Sequence, residues 1–230
     1  MLHKLLISLS LLDVLAVIWF FVCWIGYSWL ADRAPIARHG LIGASHTHRL
    51  AWAKSVMRRG LHVADAALVG NLMHSVSFYA STTIYVLAGL LALMGTVDKV
   101  MSFAADLPFM HEASRELWEL KLLLLVSVFV VAYFKFTWSL RQFNFFSILL
   151  GATPPTDTPI AQSDRYAERL AKLNSYAGDE FNSGIRAYYF GLAAIAWFIQ
   201  PAAVFLTTSL VVFVLYRRDF ASPALDAMRE

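Results

Sequence analysis

Four long runs of apolar residues divide the chain, and each is long enough to cross a membrane as a helix. The runs cover about residues 5–30, 66–97, 122–151 and 187–216. A hydrocarbon core of roughly 30 Å requires about 20 helical residues. Trp and Tyr residues lie near several run ends, as they do at membrane–water interfaces. The pattern predicts an all-α fold, a single integral membrane domain over residues 1–230 built as a four-helix bundle.

The connections between the runs contain two amphipathic stretches, which predict helices at the membrane surface. In residues 45–59, apolar residues recur at helical spacing among basic residues, as in a helix that lies near lipid headgroups. Residues 163–181 follow a similar pattern. The Pro-rich segment 151–159 predicts a loop. Residues 111–121 predict a short helix that leads into the third run.

Composition supports a membrane location. Of the 230 residues, 59% are hydrophobic and 15% are charged, against about 45–50% and 25% in soluble domains. A soluble fold of this size could not bury so much apolar surface. The net charge of +3 is not concentrated in a tail, which argues against nucleic-acid binding. The lone Cys23 excludes an intrachain disulfide and a thiolate zinc cluster.

Basic residues in the connections predict an orientation. Lys and Arg are more frequent in the first and third connections than in the termini and the second connection. This bias predicts that the first and third connections are cytoplasmic and that both termini lie outside. Arg217 and Arg218, which follow the last run, oppose it. The first run is too long for a signal peptide, and we predict that it is retained as a span.

Three blocks of sequence resemble a known family. They are RRGLHVADAALVGNLMHSVSFYASTT at Arg58–Thr83, FKFTWSLRQFNFFSILLGATP at Phe134–Pro154 and GIRAYYFGLAAIAWFIQP at Gly184–Pro201. Together they resemble an uncharacterised multi-span membrane family with a domain of unknown function, found in bacteria and plants. The resemblance covers nearly the whole chain and implies a multi-pass protein, but it transfers no activity. We expect the bacterial inner membrane as its location.

Ionisable side chains at bilayer depth are costly unless they are paired or hydrated, so each one needs an explanation. Asp13 interrupts the first run. It could serve as a proton site, a cation site or a counter-ion. Alternatively, it caps a neighbouring helix or forms a salt bridge with it near the interface.

The second run carries a row of polar side chains that share one helical face, which we name the polar stripe. It consists of Asn71, His74, Ser75, Ser81 and Thr82, with Phe78 and Tyr85 at the same spacing. Such a face is typical of a helix–helix seam, where small hydroxyl residues are common. It could equally form the wall of an aqueous path. His74 by itself is more typical of a hydrogen-bonded core histidine than of a ligand.

The third and fourth runs contain cations near aromatic and amide side chains. We predict that these residues bind a solute, an anion or a phospholipid: Lys135, Trp138, Arg141, Gln142, Arg186 and Tyr189. One acid, Asp13, is counted against three of these cations, Lys135, Arg141 and Arg186, which lie in the runs or directly beside them. The excess requires lipid phosphates, acids such as Asp65 or Glu180, or a bound or permeating anion. Pro201 is expected to kink the fourth span.

Several kinds of enzyme lack their motifs. The sequence has no His-Glu-x-x-His, Gly-x-Ser-x-Gly or phosphate-binding Gly-x-x-x-x-Gly-Lys-[Ser/Thr] pattern. Five histidines fall between Arg38 and Ser75, but few carboxylates accompany them. We therefore predict no metal site and no cofactor.

Three functions stay open. The first is an oligomeric channel or transporter for a small solute, with the cationic excess favouring an anion and the path lying between protomers. The second is a lipid-binding or accessory subunit that organises a larger complex through anionic phospholipid and self-association. The third is an enzyme acting on a lipid, with His74 or Asp13 as acid or base. No nucleophile–base spacing supports it, so enzymatic activity is not expected.

Overall fold

The computed structural model describes residues 10–105 and 114–229, and within these ranges the chain is helical and contains no β-strand. The helices are α1 (Leu11–Asp32), α2 (Leu41–Arg59), α3 (Val63–Gly95), α4 (Val97–Ala105), α5 (Arg115–Gly151), α6 (Ile160–Ile195), α7 (Pro201–Phe220) and α8 (Pro223–Ala227). Short 3-10 turns occupy Pro35–His39 and Ala196–Phe198. The predicted all-α fold is confirmed.

Four helical segments of the described chain are long and apolar enough to cross a membrane. They are Leu11–Asp32, Val63–Gly95, Arg115–Gly151 and Pro201–Ala227. This arrangement fits the predicted all-α membrane bundle. Residues 5–9 of the first predicted run and residues 111–113 of the predicted short helix lie outside the described residues.

The fourth predicted run does not form one continuous helix. Residues 187–195 end α6, a 3-10 turn follows, and Pro201 begins α7. The sequence predicted a kink at Pro201, whereas the structure has a break. The cause is that proline cannot donate a backbone bond inside a helix but is well suited to the first helical position. The amphipathic residues 163–181 lie within α6, which continues from them up to Ile195.

The described residues group into two compact units. The first unit contains the described residues up to Trp29, those within Thr82–Tyr133, and Ile185–Tyr216. The second contains Leu30–Ser81, Phe134–Gly184 and the described residues from Arg217 onward. Five helices contribute residues to both units: α1, α3, α5, α6 and α7.

Aromatic rings fill the core of the first unit. Phe20 packs edge-on against Phe190, with 6.0 Å between ring centroids. Phe129 meets Tyr188 at 5.1 Å in a similar edge-on contact. The Tyr188 hydroxyl lies 2.7 Å from the hydroxyl of the buried Thr83, so a polar bond is satisfied inside this apolar core.

The core of the second unit is built around Phe136. This fully buried ring stacks on Tyr79 at 5.5 Å and meets Phe181 at 5.8 Å between centroids. Gly184 gives the Phe136 ring its space, because a Cβ added at this glycine would lie 2.5 Å from the ring atom Cε1. The lack of a side chain at residue 184 therefore sets how closely α5 and α6 approach.

Two side-chain hydrogen bonds fix the antiparallel pairing of α5 and α6 in the second unit. The Ser139 hydroxyl donates to the Ala177 carbonyl at 2.6 Å. The Tyr166 hydroxyl donates to the Leu149 carbonyl at 2.6 Å. Burial raises the pKa of Tyr166 above its ordinary value, since the phenolate would lose this bond and its hydration.

Candidate functional site

Most of the polar stripe of α3 is exposed. Asn71, His74, Ser75 and Ser81 are exposed, and Thr82 is half-buried. The opposite side of α3 does the packing, and its buried residues are Val69, Val76, Ala80 and Thr83. The four exposed side chains therefore form no seam with another helix of the described residues. They are open to whatever surrounds the protein in the membrane.

The outward face of α3 continues beyond the stripe with small residues. Gly89, Ala92 and Thr96 follow at helical spacing, and all three are exposed. A Cβ added at Gly89 would meet nothing within 4 Å. From Asn71 to Gly95 the helix rises roughly 36 Å at 1.5 Å per residue. The polar and small face is thus long enough to cross a hydrocarbon core of roughly 30 Å.

Lys135 is balanced by an acid from the neighbouring helix. Its ammonium lies 2.8 Å from a carboxylate oxygen of Glu180 on α6. Sequence reasoning named Glu180 among the acids that could balance the cationic excess, and the structure brings the two side chains together. Lys135 is therefore not an uncompensated cation.

Arg141 and Trp138 lie on the outer surface of α5. The Arg141 guanidinium carbon is 5.9 Å from the Trp138 ring centroid and 5.6 Å from that of Phe145. Cation–π attraction at such distances holds the guanidinium against the rings. Trp138 is 48% exposed and Phe145 is 42% exposed, so this group can meet lipid.

Gln142 points to the opposite side of α5 from Arg141. It is buried at the level where Asn174 of α6 is also buried. The antiparallel register set by Ser139 and Ala177 places the two amides at matching positions along the helix pair. Among the described residues, the side-chain oxygens of Gln142 and Asn174 are buried without a hydrogen-bond partner. Asn174 was not singled out by the sequence analysis.

A charged network joins α2 to α6 in the second unit. His46 lies 2.8 Å from a carboxylate oxygen of Asp179. The half-buried Arg49 donates to the Ser175 carbonyl at 3.3 Å. Burial lowers the pKa of Arg49, and the nearby charge of Asp179 opposes this shift. Sequence reasoning missed this network, because residues far apart in the chain build it.

Arg59 and Asp65 connect the end of α2 to the start of α3. The guanidinium grips the carboxylate with two bonds of 2.8 and 2.7 Å, and Trp52 donates to the same carboxylate at 2.7 Å. The backbone N–H of His62 adds a bond of 2.9 Å. Hydrogen bonding to Asp65 raises the pKa of Arg59. This cluster is a structural clamp in which every carboxylate oxygen has a donor.

Asp13 starts α1 by closing a capping box with Ser10. Its carboxylate accepts from the Ser10 N–H at 3.1 Å and from the Ser10 hydroxyl at 2.6 Å, while the Asp13 N–H donates back to that hydroxyl. The indole N–H of Trp197 donates to the other carboxylate oxygen at 2.7 Å. Asp13 is thus both a helix cap and a tie to the break between α6 and α7.

Lys121 is a buried cation of the first unit that interacts with Asp13. Both are buried, with 3% and 4% of their surfaces exposed. The Lys121 ammonium lies 5.5 Å from the Trp197 ring centroid and 5.9 Å from that of Phe198, and it interacts electrostatically with Asp13. Sequence reasoning counted Lys121 as a flanking charge, because it stands at the edge of an apolar run.

The six predicted binding residues are divided between the two units of the described chain. Arg186 and Tyr189 belong to the first unit, where Arg186 is buried and Tyr189 is half-buried. The other four belong to the second unit, and there they divide between an outer and an inner side of α5. Among the described residues, no group of three or more metal-ligating side chains occurs.

Comparison with protein families matches residues 15–224 to the family described as Protein of unknown function, DUF599, and the chain belongs to this family. No curated protein and no solved structure matches the chain. The resemblance to a family of unknown function is confirmed.

Proposed function

We propose that this member of the DUF599 family is an oligomeric membrane channel or transporter-like protein, in which the polar stripe lines a path for a small solute between copies of the chain. The main support for this proposal is that the stripe is largely exposed on α3, a helix long and apolar enough to cross a membrane.

Lipid acyl chains do not satisfy the polar groups of this face. Hydrocarbon offers no hydrogen bonds, and a polar group left unsatisfied there costs several kcal/mol. Ser75 reduces its cost by donating to the Asn71 carbonyl at 3.0 Å. Among the residues that the structure describes, neither the side-chain amide of Asn71 nor the imidazole of His74 has a hydrogen-bond partner. These side chains require water or the polar groups of another chain.

A second copy of the chain suits the stripe better than an unrelated partner. Amide, imidazole and hydroxyl groups each donate and accept, so a stripe of this composition is complementary to itself. Symmetric contacts of this kind are the commonest route to oligomers. Gly89 and Ala92 let neighbouring helices approach closely at one end of the face, while the polar residues keep the other end hydrated.

The chemistry of the path favours small polar solutes. No Lys, Arg, Asp or Glu occurs between residues 66 and 97. Lys135, which was predicted from the sequence as a possible anion-binding residue, forms a salt bridge with Glu180. The polar stripe alone supports a solute recognised by hydrogen bonds.

Flux measured in proteoliposomes tests the proposal. Vesicles containing the purified protein should admit small polar solutes and ions faster than protein-free vesicles. Asn71→Leu and His74→Leu should reduce this flux several-fold, because apolar side chains exclude water from the path. Ile84→Val is the matched control, since Ile84 is exposed on α3 away from the stripe. Equal permeability of protein-containing and empty vesicles to all solutes would contradict the proposal.

A further inference from the structure

A second outward face of the protein lies on α5, and it combines apolar side chains with one cation. We name it the arginine face. It consists of Phe134, Trp138, Arg141, Phe145 and Ile148, which recur at helical spacing and are all exposed. Phe134 and Ile148 are each 65% exposed. The face is apolar except at its centre, where the guanidinium of Arg141 lies between two rings.

In contrast to Lys135, Arg59 and Arg115, Arg141 forms no salt bridge with an acid among the described residues. Lys135 has Glu180, Arg59 has Asp65, and Arg115 has both Asp98 and Glu119. Within the described chain, its guanidinium makes cation–π contacts with Trp138 and Phe145. A cation on a lipid-facing surface without a carboxylate needs an anion from its surroundings.

The position of Arg141 along α5 suits the headgroup level of a bilayer. Lys121 and Arg141 are about 20 residues apart, which corresponds to about 30 Å of helix rise. This length equals the thickness of a typical hydrocarbon core. Between them the remaining cation, Lys135, is already paired. Aromatic residues such as Trp138 are typical of the interfacial zone.

We propose that the arginine face binds an anionic phospholipid, with the guanidinium of Arg141 holding the phosphate and the acyl chains lying on the apolar residues. Arginine grips phosphate oxygens with two parallel N–H bonds. The face carries no carboxylate for the ammonium group of a zwitterionic lipid, which favours an anionic headgroup. The exposed rings on both sides favour a lipid over free phosphate. This inference stands independently of the proposed path on α3.

Native mass spectrometry of the full chain, extracted in a mild non-ionic detergent, tests the proposal. The probe is phosphatidylglycerol, titrated in parallel with phosphatidylcholine. The wild-type chain should retain phosphatidylglycerol more tightly than phosphatidylcholine. Arg141→Gln should weaken phosphatidylglycerol binding roughly tenfold, as expected for the loss of a charge-assisted pair. Arg141→Lys should fall between the two, because a point charge replaces a planar fork.

Arg115→Gln is the matched control, because Arg115 is exposed but already balanced by two carboxylates. It should bind phosphatidylglycerol as the wild-type chain does. Inorganic phosphate, added in large excess, should not displace the lipid. The proposal is overturned if Arg141→Gln and Arg115→Gln bind the lipid equally. It is also overturned if inorganic phosphate competes effectively, which would indicate a free-anion site. Phe145→Ala provides a second variant that retains the charge and should weaken binding less than Arg141→Gln.

Discussion

The carboxylate of Glu180 lies 2.8 Å from the ammonium of Lys135. The contact joins α5 to α6. From the sequence, Lys135 was instead predicted to bind a solute, an anion or a phospholipid. Because Lys135 is already paired, the polar stripe and the arginine face are better candidates for function than a cationic site on α5.

The Lys135–Glu180 pair should show measurable coupling in a double-mutant cycle. Glu180→Gln and Lys135→Met each leave one charge unbalanced, so each should lower the thermal stability of the purified protein. The double variant should lose less than the sum of the two losses, with a coupling of roughly 0.5–3 kcal/mol. Both side chains are partly exposed, which favours the lower part of this range.

The matched cycle uses Arg115 and Asp98, which are 56% and 72% exposed. Water screens such a pair, so its coupling should be close to zero. Equal coupling in the two cycles, or none for Lys135 and Glu180, would show that the 2.8 Å contact does not hold α5 and α6 together.

Gly184→Ala should destabilise the protein. The added methyl group would lie 2.5 Å from the Phe136 ring, and Phe136 is fully buried between aromatic neighbours. Overpacking of this kind costs about 1–3 kcal/mol. Gly26→Ala is the control, because a Cβ at Gly26 meets nothing within 4 Å. Thermal unfolding followed by circular dichroism should separate the two variants, and equal midpoints would contradict the close packing of α5 on α6.

Trp197→Phe should destabilise the first unit by removing a hydrogen bond while keeping an aromatic ring. The indole N–H donates to the buried Asp13 carboxylate at 2.7 Å, and a buried acceptor that loses its donor costs about 1–3 kcal/mol. Trp29→Phe, at a position 56% exposed, should have little effect. If both variants unfold at the wild-type temperature, Asp13 does not depend on Trp197.

The sequence predicted the positions of the helices better than it predicted what each helix face contacts. Runs of apolar residues fix where a membrane-spanning helix can lie, so three spans agree with α1, α3 and α5. Helical spacing also identified the polar stripe, but spacing defines a face and not its neighbours, so its outward direction needed the structure. The Ser10-x-x-Asp13 pattern is a capping box that could have been recognised in advance.

Other features depended on residues distant in sequence. Lys121 stands at the edge of an apolar run. It is nevertheless buried beside Trp197, which lies roughly 80 positions further along the chain. The partnership of Asp179 with His46 has the same origin. The break before Pro201 could be anticipated as a kink, because both follow from one missing N–H. Local sequence did not determine whether the helix would bend or end.

The most direct test of the central claim is cysteine accessibility along α3. Cys23→Ser removes the native thiol, and Ser75→Cys, Ser81→Cys or Ile84→Cys then introduces one thiol at a time. In native membranes, oxidation should produce disulfide-linked dimers from Ser75→Cys and Ser81→Cys. A charged, water-soluble thiol reagent should label both positions faster than Ile84→Cys, which faces away from the stripe. If the three variants remain monomeric and react equally slowly, the polar stripe neither meets a second copy nor lines an aqueous path.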